Sequence, residues 1–490
     1  MNENIQNKVK AKKGFKWPSA FTIILLLIFV LAGITYLLPE AKFIGKDLID
    51  GSGVVRAKFS QTLMSPIKGF GNAIDVCVFV LVLGGFLNMM NETGSIEDGI
   101  KVLIKKLKGK EVILIPILMT LFSIGGSTYG MLEETVGFYA ILAATMVAAG
   151  MDTVVSSAIV LLGAGSGVLG STVNPFAVGA AVDALPKDIK VNQGIIIGLG
   201  LVLWITTLII SIIFVMNYAK KVMKDKSKSI LSAKEKENMM STYGDNAEDN
   251  VKLTGKQKAS LWIFAITFII MIISFIPWEE FGINFFAKTK GLNLEWLAGV
   301  PLGQWYFQEA TLWFLISAII IAIINGFGEE KFIDKFIEGT KDMVGVVLII
   351  ALARGAFVLM SETKLDNYII FNAAHALEKT ASYVFAPLNY LLHVVLSVLV
   401  PSSSGLASLS TPIMGELAAK AHFSVEVTVM EMVAANGLVN LFTPTCGAIM
   451  GGLTLAKVEY SSWLKWAGKV IVTIAIVNII ILTVAMMIFA

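Results

Sequence analysis

Apolar residues along this chain gather in blocks of about twenty separated by short polar stretches, not in the strict alternation of half-buried strands. The blocks fall at about 19–38, 74–91, 111–122, 131–150, 153–168, 192–217, 258–277, 309–326, 343–360, 388–400, 428–442 and 466–489. Roughly twenty apolar residues of helix cross a bilayer core of about 30 Å, so the pattern predicts an all-α integral membrane protein. Several blocks are too short to cross alone. Those at 111–122 and 388–400 run into Gly-Gly-Ser-Thr and Pro-Ser-Ser-Ser-Gly. Helix breakers at membrane depth are tolerated only where the freed backbone meets protein or a water-filled cavity. Both regions are therefore expected to be re-entrant hairpins, near 111–150 and 385–421.

Basic residues set the sidedness. Lys8, Lys10, Lys12, Lys13 and Lys16 precede the first block, and Lys101, Lys105, Lys106, Lys108 and Lys110 fill a short loop. Lys220, Lys221, Lys224, Lys226 and Lys228 open the polar stretch 218–257. The positive-inside rule puts all three in the cytoplasm. Nine spans and two hairpins satisfy it: a cytoplasmic tail at 1–18, a first half at 19–217, a solvated cytoplasmic linker at 218–257, and a second half at 258–490 that ends outside. The first block resembles a signal peptide, but it is too long for a cleaved one. Pro39-Glu40 also stands where a small-residue cleavage site would be, so it is expected to stay as the first span.

Composition strengthens this class and removes others. Of 490 residues 56% are hydrophobic and 15% charged, whereas a soluble chain keeps roughly a quarter charged. Cys77 and Cys446 lack metal-ligand spacing and read as small buried thiols. His375, His393 and His422 form no HxxxH or HExxH arrangement and read as packing or interfacial residues, with proton coupling the alternative. No Walker loop, GxSxG elbow or GxGxxG after a strand occurs, so an ATP-driven pump or fused catalytic domain has no support. No cofactor and no nucleic-acid partner are expected; coupling to protons or sodium stays open.

The chain also resembles itself. GGFLNMMNETGSIEDGI (84–100) matches RGAFVLMSETKLDNYI (354–369), pairing Gly85 with Gly355, Met90 with Met360 and Glu92-Thr93 with Glu362-Thr363. At the same offset of 270 residues Gly165-Ser166-Gly167 meets Ala435-Asn436-Gly437, and Asn174-Pro175 falls one residue from Thr443-Pro444. Several matched motifs in one order point to an internal repeat. The span count gives the halves opposite directions, the inverted arrangement of secondary transporters.

Four broken, hydroxyl-rich segments then converge: Ser123–Glu134, Gly163–Pro175, Pro401–Thr411 and Ala435–Cys446. Helix N-termini at such breaks suit a carboxylate, and C-termini with free carbonyls suit a cation; the plain alternative is close helix packing by small residues. Ser127, Thr128, Ser403 and Ser404 at the hairpin tips, with Asn174, Asn436, Asn440, Thr443 and Thr445 at the breaks, are the expected lining. Carboxylates at membrane depth are costly and usually functional. Glu133 and Glu134 are therefore expected to supply a cation- or proton-binding group, unless Glu133 merely caps the turn after Gly130. Arg354, opposite Gly84 in the repeat, is expected to pair with a carboxylate or reach an interface, with substrate contact a further alternative. Asp75, Glu309 and Glu431 are further acids without an assigned role.

GGSTYGMLEETVGFY (125–139), GSTVNPFAVG (170–179) and NLFTPTCGAIMGGL (440–453) resemble the YfcC-like branch of the C4-dicarboxylate anaerobic carrier family. That resemblance implies the ion-transporter superfamily architecture: a homodimer in a bacterial inner membrane, with a static scaffold and a mobile domain that carries both hairpins as an elevator. The family's name implies dicarboxylates, whereas YfcC-like members are often assigned to basic amino acids, including arginine–ornithine exchange. The acidic pair tilts the expectation to a secondary carrier of amino acids, more specifically basic ones. The alternatives are a dicarboxylate carrier and, of another class, an intramembrane enzyme or a channel. The paired Ser-Asn-Thr signatures of sodium–dicarboxylate carriers are absent.

Overall fold

A computed structural model describes residues 20–44, 47–99, 102, 110–244, 252–275, 278–281, 283, 285–288 and 294–489. The lysine-rich tail, most of the 101–110 loop, part of the 218–257 stretch and Ala490 lie outside the described residues, as do the side chains of Glu133 and Glu134. Apart from short β pairings between residues 40 and 54, the described regular structure is helical. The first half contributes α1 (Ala20–Leu37), α2 (Phe59–Asn72), α3 (Ile74–Glu92), α4 (Leu114–Tyr129), α5 (Phe138–Ala148), α6 (Thr153–Gly170), α7 (Ala180–Asp183) and α8 (Gln193–Lys224), and then α9 (Ala233–Tyr243). The second half contributes α10 (Gly255–Phe275), α11 (Phe307–Asn325), α12 (Glu329–Thr363), α13 (Leu365–Leu377), α14 (Ser382–Leu399), α15 (Ser403–Lys420), α16 (Val425–Val439), α17 (Gly447–Leu455) and α18 (Tyr460–Phe489).

Nine of the described helices are long and apolar enough to cross a membrane. The number equals the expected nine spans, but the set differs. It includes α4 and α14, the first arm of each hairpin, and leaves out the 15-residue α16 together with α1, which the described residues cover only from Ala20. The reversal after α4 is made by Gly130 at φ 81°, a left-handed position that glycine takes without a Cβ penalty. After α14 the chain turns through Val400 and Pro401, and Ser402 caps α15 by accepting a bond from the Gly405 N–H at 3.2 Å. Two helices are interrupted. The first, α6, ends at Ser171 (φ 38°) and resumes over Pro175–Gly179 and α7; the second, α16, ends at Asn440 and resumes as α17.

Element bounds recur at the 270-residue offset, from α3 against the end of α12, through both hairpins and both breaks, to α8 against α18. Matched helices cross antiparallel. In the α3–α12 pair the Asn88 side-chain amide donates to the Lys335 carbonyl at 2.7 Å, and Thr340 donates back to Leu81 at 3.2 Å. A Cβ on Gly339 would strike the Gly84 backbone, and one on Gly69 of α2 would strike Ala351 and Gly355. Small residues are what let helix backbones approach this closely in a membrane. In the α6–α16 pair Gly165 lies against Leu441 while Gly437 lies against Leu169, which again fixes opposite directions.

The helices pack in two groups. One joins α1, α2, α3, α10, α11 and α12; the other joins α4 through α8 with α14 through α18. Each hairpin leans on its own broken helix, α4 on α6 and α14 on α16. The expected solvated linker is corrected in part by its own polar groups. Ser232 and Glu235 form a capping box at the start of α9. Glu235 is buried and also accepts from the Glu459 N–H at 2.8 Å and the Ser462 hydroxyl at 3.0 Å. Tyr243 donates to the Leu455 carbonyl at 2.6 Å, so this stretch clips onto the α17–α18 turn. Glu235→Ala leaves these donors without an acceptor and is expected to lower unfolding free energy by roughly 1–3 kcal/mol. Thermal unfolding of the detergent-solubilised protein reads this, and equal midpoints for Glu235→Ala and the exposed control Lys234→Ala would contradict it.

Candidate functional site

Four helix ends meet at one cavity of about 140 Å³. Its wall includes Gly130 at the end of α4, Asn440 at the end of α16, Ser402 at the start of α15 and Cys446 at the start of α17. Two of these are C-terminal ends, carrying the partial negative charge of unsatisfied carbonyls. The other two are N-terminal ends, carrying the partial positive charge of unsatisfied N–H groups. The sequence brings them together because each hairpin tip stops where the neighbouring broken helix stops, so the polar ends of both elements share one cavity.

The remaining wall comes from the other helix group. It consists of Ile350, Ala353 and Arg354 of α12, Val76 of α3, and Tyr306 and Phe307 at the start of α11. Tyr306 sets its ring 5.2 Å from that of Phe176, which belongs to the broken helix, and 5.3 Å from that of Phe307. Arg354 makes no salt bridge among the described residues and is the one charged side chain of the described lining. A guanidinium offers five donors in a fixed fork that matches a carboxylate.

The expected site residues divide by position. Ser403, Ser404, Asn440 and Thr445 line the cavity. Behind them Ser403 donates to Asn436 Oδ1 at 2.7 Å, and the Asn440 amide donates to the same oxygen at 3.1 Å. The Thr443 and Thr445 hydroxyls lie 2.7 Å apart, and Thr445 donates to the Val398 carbonyl at 3.2 Å. On the first hairpin Ser127 and Thr172 hydroxyls sit 2.9 Å apart. Asn174 donates to Ser171 Oγ at 3.0 Å and accepts from the Phe176 N–H at 2.9 Å. Ser127, Asn174, Asn436 and Thr443 thus brace the breaks without lining the cavity.

Thr128 is neither lining nor brace. Its hydroxyl bonds back to the Ile124 carbonyl at 2.8 Å, as hydroxyls in membrane helices commonly do. Glu133 and Glu134 have their backbone in the short turn that follows Leu132, itself part of the lining; their side chains are outside the described residues. Arg354 sits in the cavity wall, the placement that fits solute contact among its expected roles. Its position within the apolar block 343–360 was the available signal. Ser402, Phe176 and Tyr306 carried none beyond their place beside a break.

Fold and cavity together define a polytopic membrane transporter. The chain belongs to the C4-dicarboxylate anaerobic carrier family, whose profile matches residues 17–487. It is 28% identical to an uncharacterized protein of Haemophilus influenzae over 536 aligned positions, which cover 98% of this chain and 99% of that one. It is 26% identical over 416 positions to an Escherichia coli K12 protein named "Putative basic amino acid antiporter YfcC", covering 81% and 74% of the two chains. Two solved structures are similar at a TM-score of 0.46: Neisseria gonorrhoeae MtrF, described as illuminating a class of antimetabolite efflux pumps, and the Alcanivorax borkumensis YdaH transporter. Identities are 16% and 13%, with coverage of 97% of both chains for MtrF and of 95% and 98% for YdaH.

The two left-handed glycines of the first hairpin separate backbone from contact effects. Gly150 (φ 80°) has open space where a Cβ would go, whereas a Cβ on Gly130 would meet the Asn174 side chain. Each alanine carries roughly 1–2 kcal/mol of left-handed strain, and Gly130→Ala is expected to lower the thermal midpoint further than Gly150→Ala. An equal or smaller loss for Gly130→Ala would show that the tip is not held against the broken helix.

Proposed function

We propose that this protein is a secondary active carrier of an amino acid, working by alternating access as an elevator. The observation that carries this is the assembly of Arg354, two helix N-termini and two helix C-termini on one cavity. Arg354 and the starts of α15 and α17 attract a carboxylate; the ends of α4 and α16 attract an ammonium. A zwitterion meets both. In this reading the halves are inverted repeats, the group carrying both hairpins slides, and the group carrying Arg354 is the scaffold of a homodimer. The protein lies in a bacterial inner membrane with its N-terminus in the cytoplasm and its C-terminus outside.

A basic amino acid, moved by exchange or with a coupling ion, is the more specific form of the proposal. The name of the Escherichia coli relative supports it, as do Glu133 and Glu134, which follow a lining residue directly. Arg354 favours one second reading, a C4-dicarboxylate carrier that places one carboxylate on the guanidinium.

Proteoliposomes separate the two. Labelled L-arginine is expected to enter faster when vesicles are preloaded with unlabelled ornithine, and succinate is expected not to compete. Saturable succinate entry would install the second reading, and no counterflow of any amino acid or dicarboxylate would end the carrier proposal. Loss of a charge-assisted hydrogen bond costs about 1.5–3 kcal/mol. Arg354→Ala is accordingly expected to weaken the apparent affinity for the transported solute roughly ten- to hundredfold, with Arg354→Lys between. Unchanged affinity in Arg354→Ala would remove Arg354 from the binding surface.

A further inference from the structure

Among the described residues, buried carboxylates differ in how fully donors reach them. Asp152 accepts from the Val154 and Val155 N–H groups at 3.1 and 3.3 Å, and from the Tyr218 and Ser229 hydroxyls at 2.6 Å each. Glu235 accepts from two backbone N–H groups and the Ser462 hydroxyl. Donors reach both oxygens of each, so neither carboxyl keeps an unpartnered lone-pair side. Glu431, on α16, differs. It is 0% exposed and takes a single bond, from the Asn389 amide to Oε2 at 2.6 Å. Its Oε1 has no partner, and neither does Asn389 Oδ1.

We propose that Glu431 is the group that binds and releases a coupling proton, positioned by Asn389. The proposal rests on the carrier reading and adds to it a site that the solute cavity does not contain. A proton neutralises the carboxyl and turns an oxygen without a donor into a donor. A metal cation would instead need about six oxygen ligands. The pocket offers two unpartnered oxygens beside an amide N–H that faces the carboxylate, and no cluster of three acidic, His or Cys side chains occurs among the described residues.

The surroundings isolate Glu431 from other charges. From α14 come His393, whose Nδ1 lies 2.8 Å from the Asn389 carbonyl, and Tyr390, bonded to Asn478 of α18. From α15 comes Ser410, 2.6 Å from His393 Nε2, while Glu416 and Lys420 of that helix pair with each other at the surface. The α6 helix carries no titratable side chain. On α8 Tyr218 is committed to Asp152, while Lys220, Lys221 and Lys224 are exposed. Lys465 and Lys469 of α18, Asp183 of α7 and Lys187 beyond it are exposed too. On α16 itself Glu426 accepts from the Asn192 N–H and the Ser424 hydroxyl.

This placement links the proton to the solute. Asn436, which holds the cavity-lining Ser403, is five residues beyond Glu431 on the same helix, about 7.5 Å along its axis. His393 and Ser410 bridge the two arms of the second hairpin. Parting those arms admits water to Glu431, so the proton exchanges with water only when the tip is not closed over solute.

Two measurements test this on the full chain reconstituted in lipid. Infrared titration is expected to show a carboxylic-acid C=O band that fades as pH rises and is missing from E431Q; an unchanged band in E431Q overturns the assignment. Transport is then followed for whichever labelled solute, L-arginine or succinate, the wild type carries. A gradient of one pH unit multiplies accumulation by about tenfold for each coupled proton. E431Q is expected to keep solute-for-solute exchange and lose that stimulation. E431D, which keeps a carboxyl and guards against misfolding of the amide variant, is expected to retain it with a displaced pH profile. Gradient stimulation that survives in E431Q, or is missing from the wild type, overturns the proposal and leaves the carrier reading standing. A wild type that carries no solute ends the carrier reading, and the coupling role with it, while the infrared arm still decides whether Glu431 holds a proton.

Discussion

A bilayer offers no hydrogen-bond partner to the end of a helix. Each unsatisfied backbone group exposed to hydrocarbon costs several kcal/mol, and this chain interrupts its helices four times at hydrophobic depth. The lowest-cost arrangement is to turn all four interruptions towards one another. Gly130, Ser402, Asn440 and Cys446 consequently share a wall, and side chains take up backbone groups beside them: the Thr172, Phe176 and Thr445 N–H groups donate to Ser127, Asn174 and Thr443, and Thr445 donates to the Val398 carbonyl. The cavity is thus a consequence of satisfying backbone, and its mixed polarity follows from having helix starts and helix ends in equal number.

That cavity lies between two helix groups, and this matters more than its size. Arg354, Tyr306 and Phe307 face it from one group, and the hairpin tips face it from the other. A solute held by both reports on their relative position. If it binds one arrangement more tightly than another, it shifts the balance by that difference in affinity and by no more. The glycine contacts between α3 and α12 and between α2 and α12 keep the first group tight. The second is tied internally by the α4–α6 and α14–α16 pairings and by the α9 clip. Each group is thus tied within itself, and the cavity lies at the seam between them.

Much of this was legible in the sequence because it is written in block length and in breakers. Gly-Gly-Ser-Thr and Pro-Ser-Ser-Ser-Gly marked both tips, and motif spacing marked the offset at which element bounds recur. Side-chain direction was not legible. Thr128 and Ser127 are neighbours on one tip, yet one hydroxyl returns to its own helix and the other crosses to Thr172, since adjacent helical residues diverge by about 100°. Arg354 in an apolar block fits a cavity, an ion pair or an interface equally well until tertiary contacts choose. The α9 stretch reads as solvated because charge dominates it, and only the partners of Glu235 from residues 459 and 462 reveal its docked face.

Counting donors around buried acids carries more information than counting the acids. Asp75, Glu309 and Glu431 are equivalent in sequence, each a carboxyl at or near an apolar block. In the fold Glu309 caps α11 through the Tyr306 N–H, and Asp75 accepts from Gln308 near the surface. Glu431 is left inside the second hairpin's packing with one donor and an empty lone-pair direction. A site that served only stability would gain from an apolar replacement of the same shape, because an unsatisfied buried polar atom costs about 1–3 kcal/mol. Retaining an incompletely solvated acid one and a half turns from the solute wall makes sense where its charge has to change during the cycle.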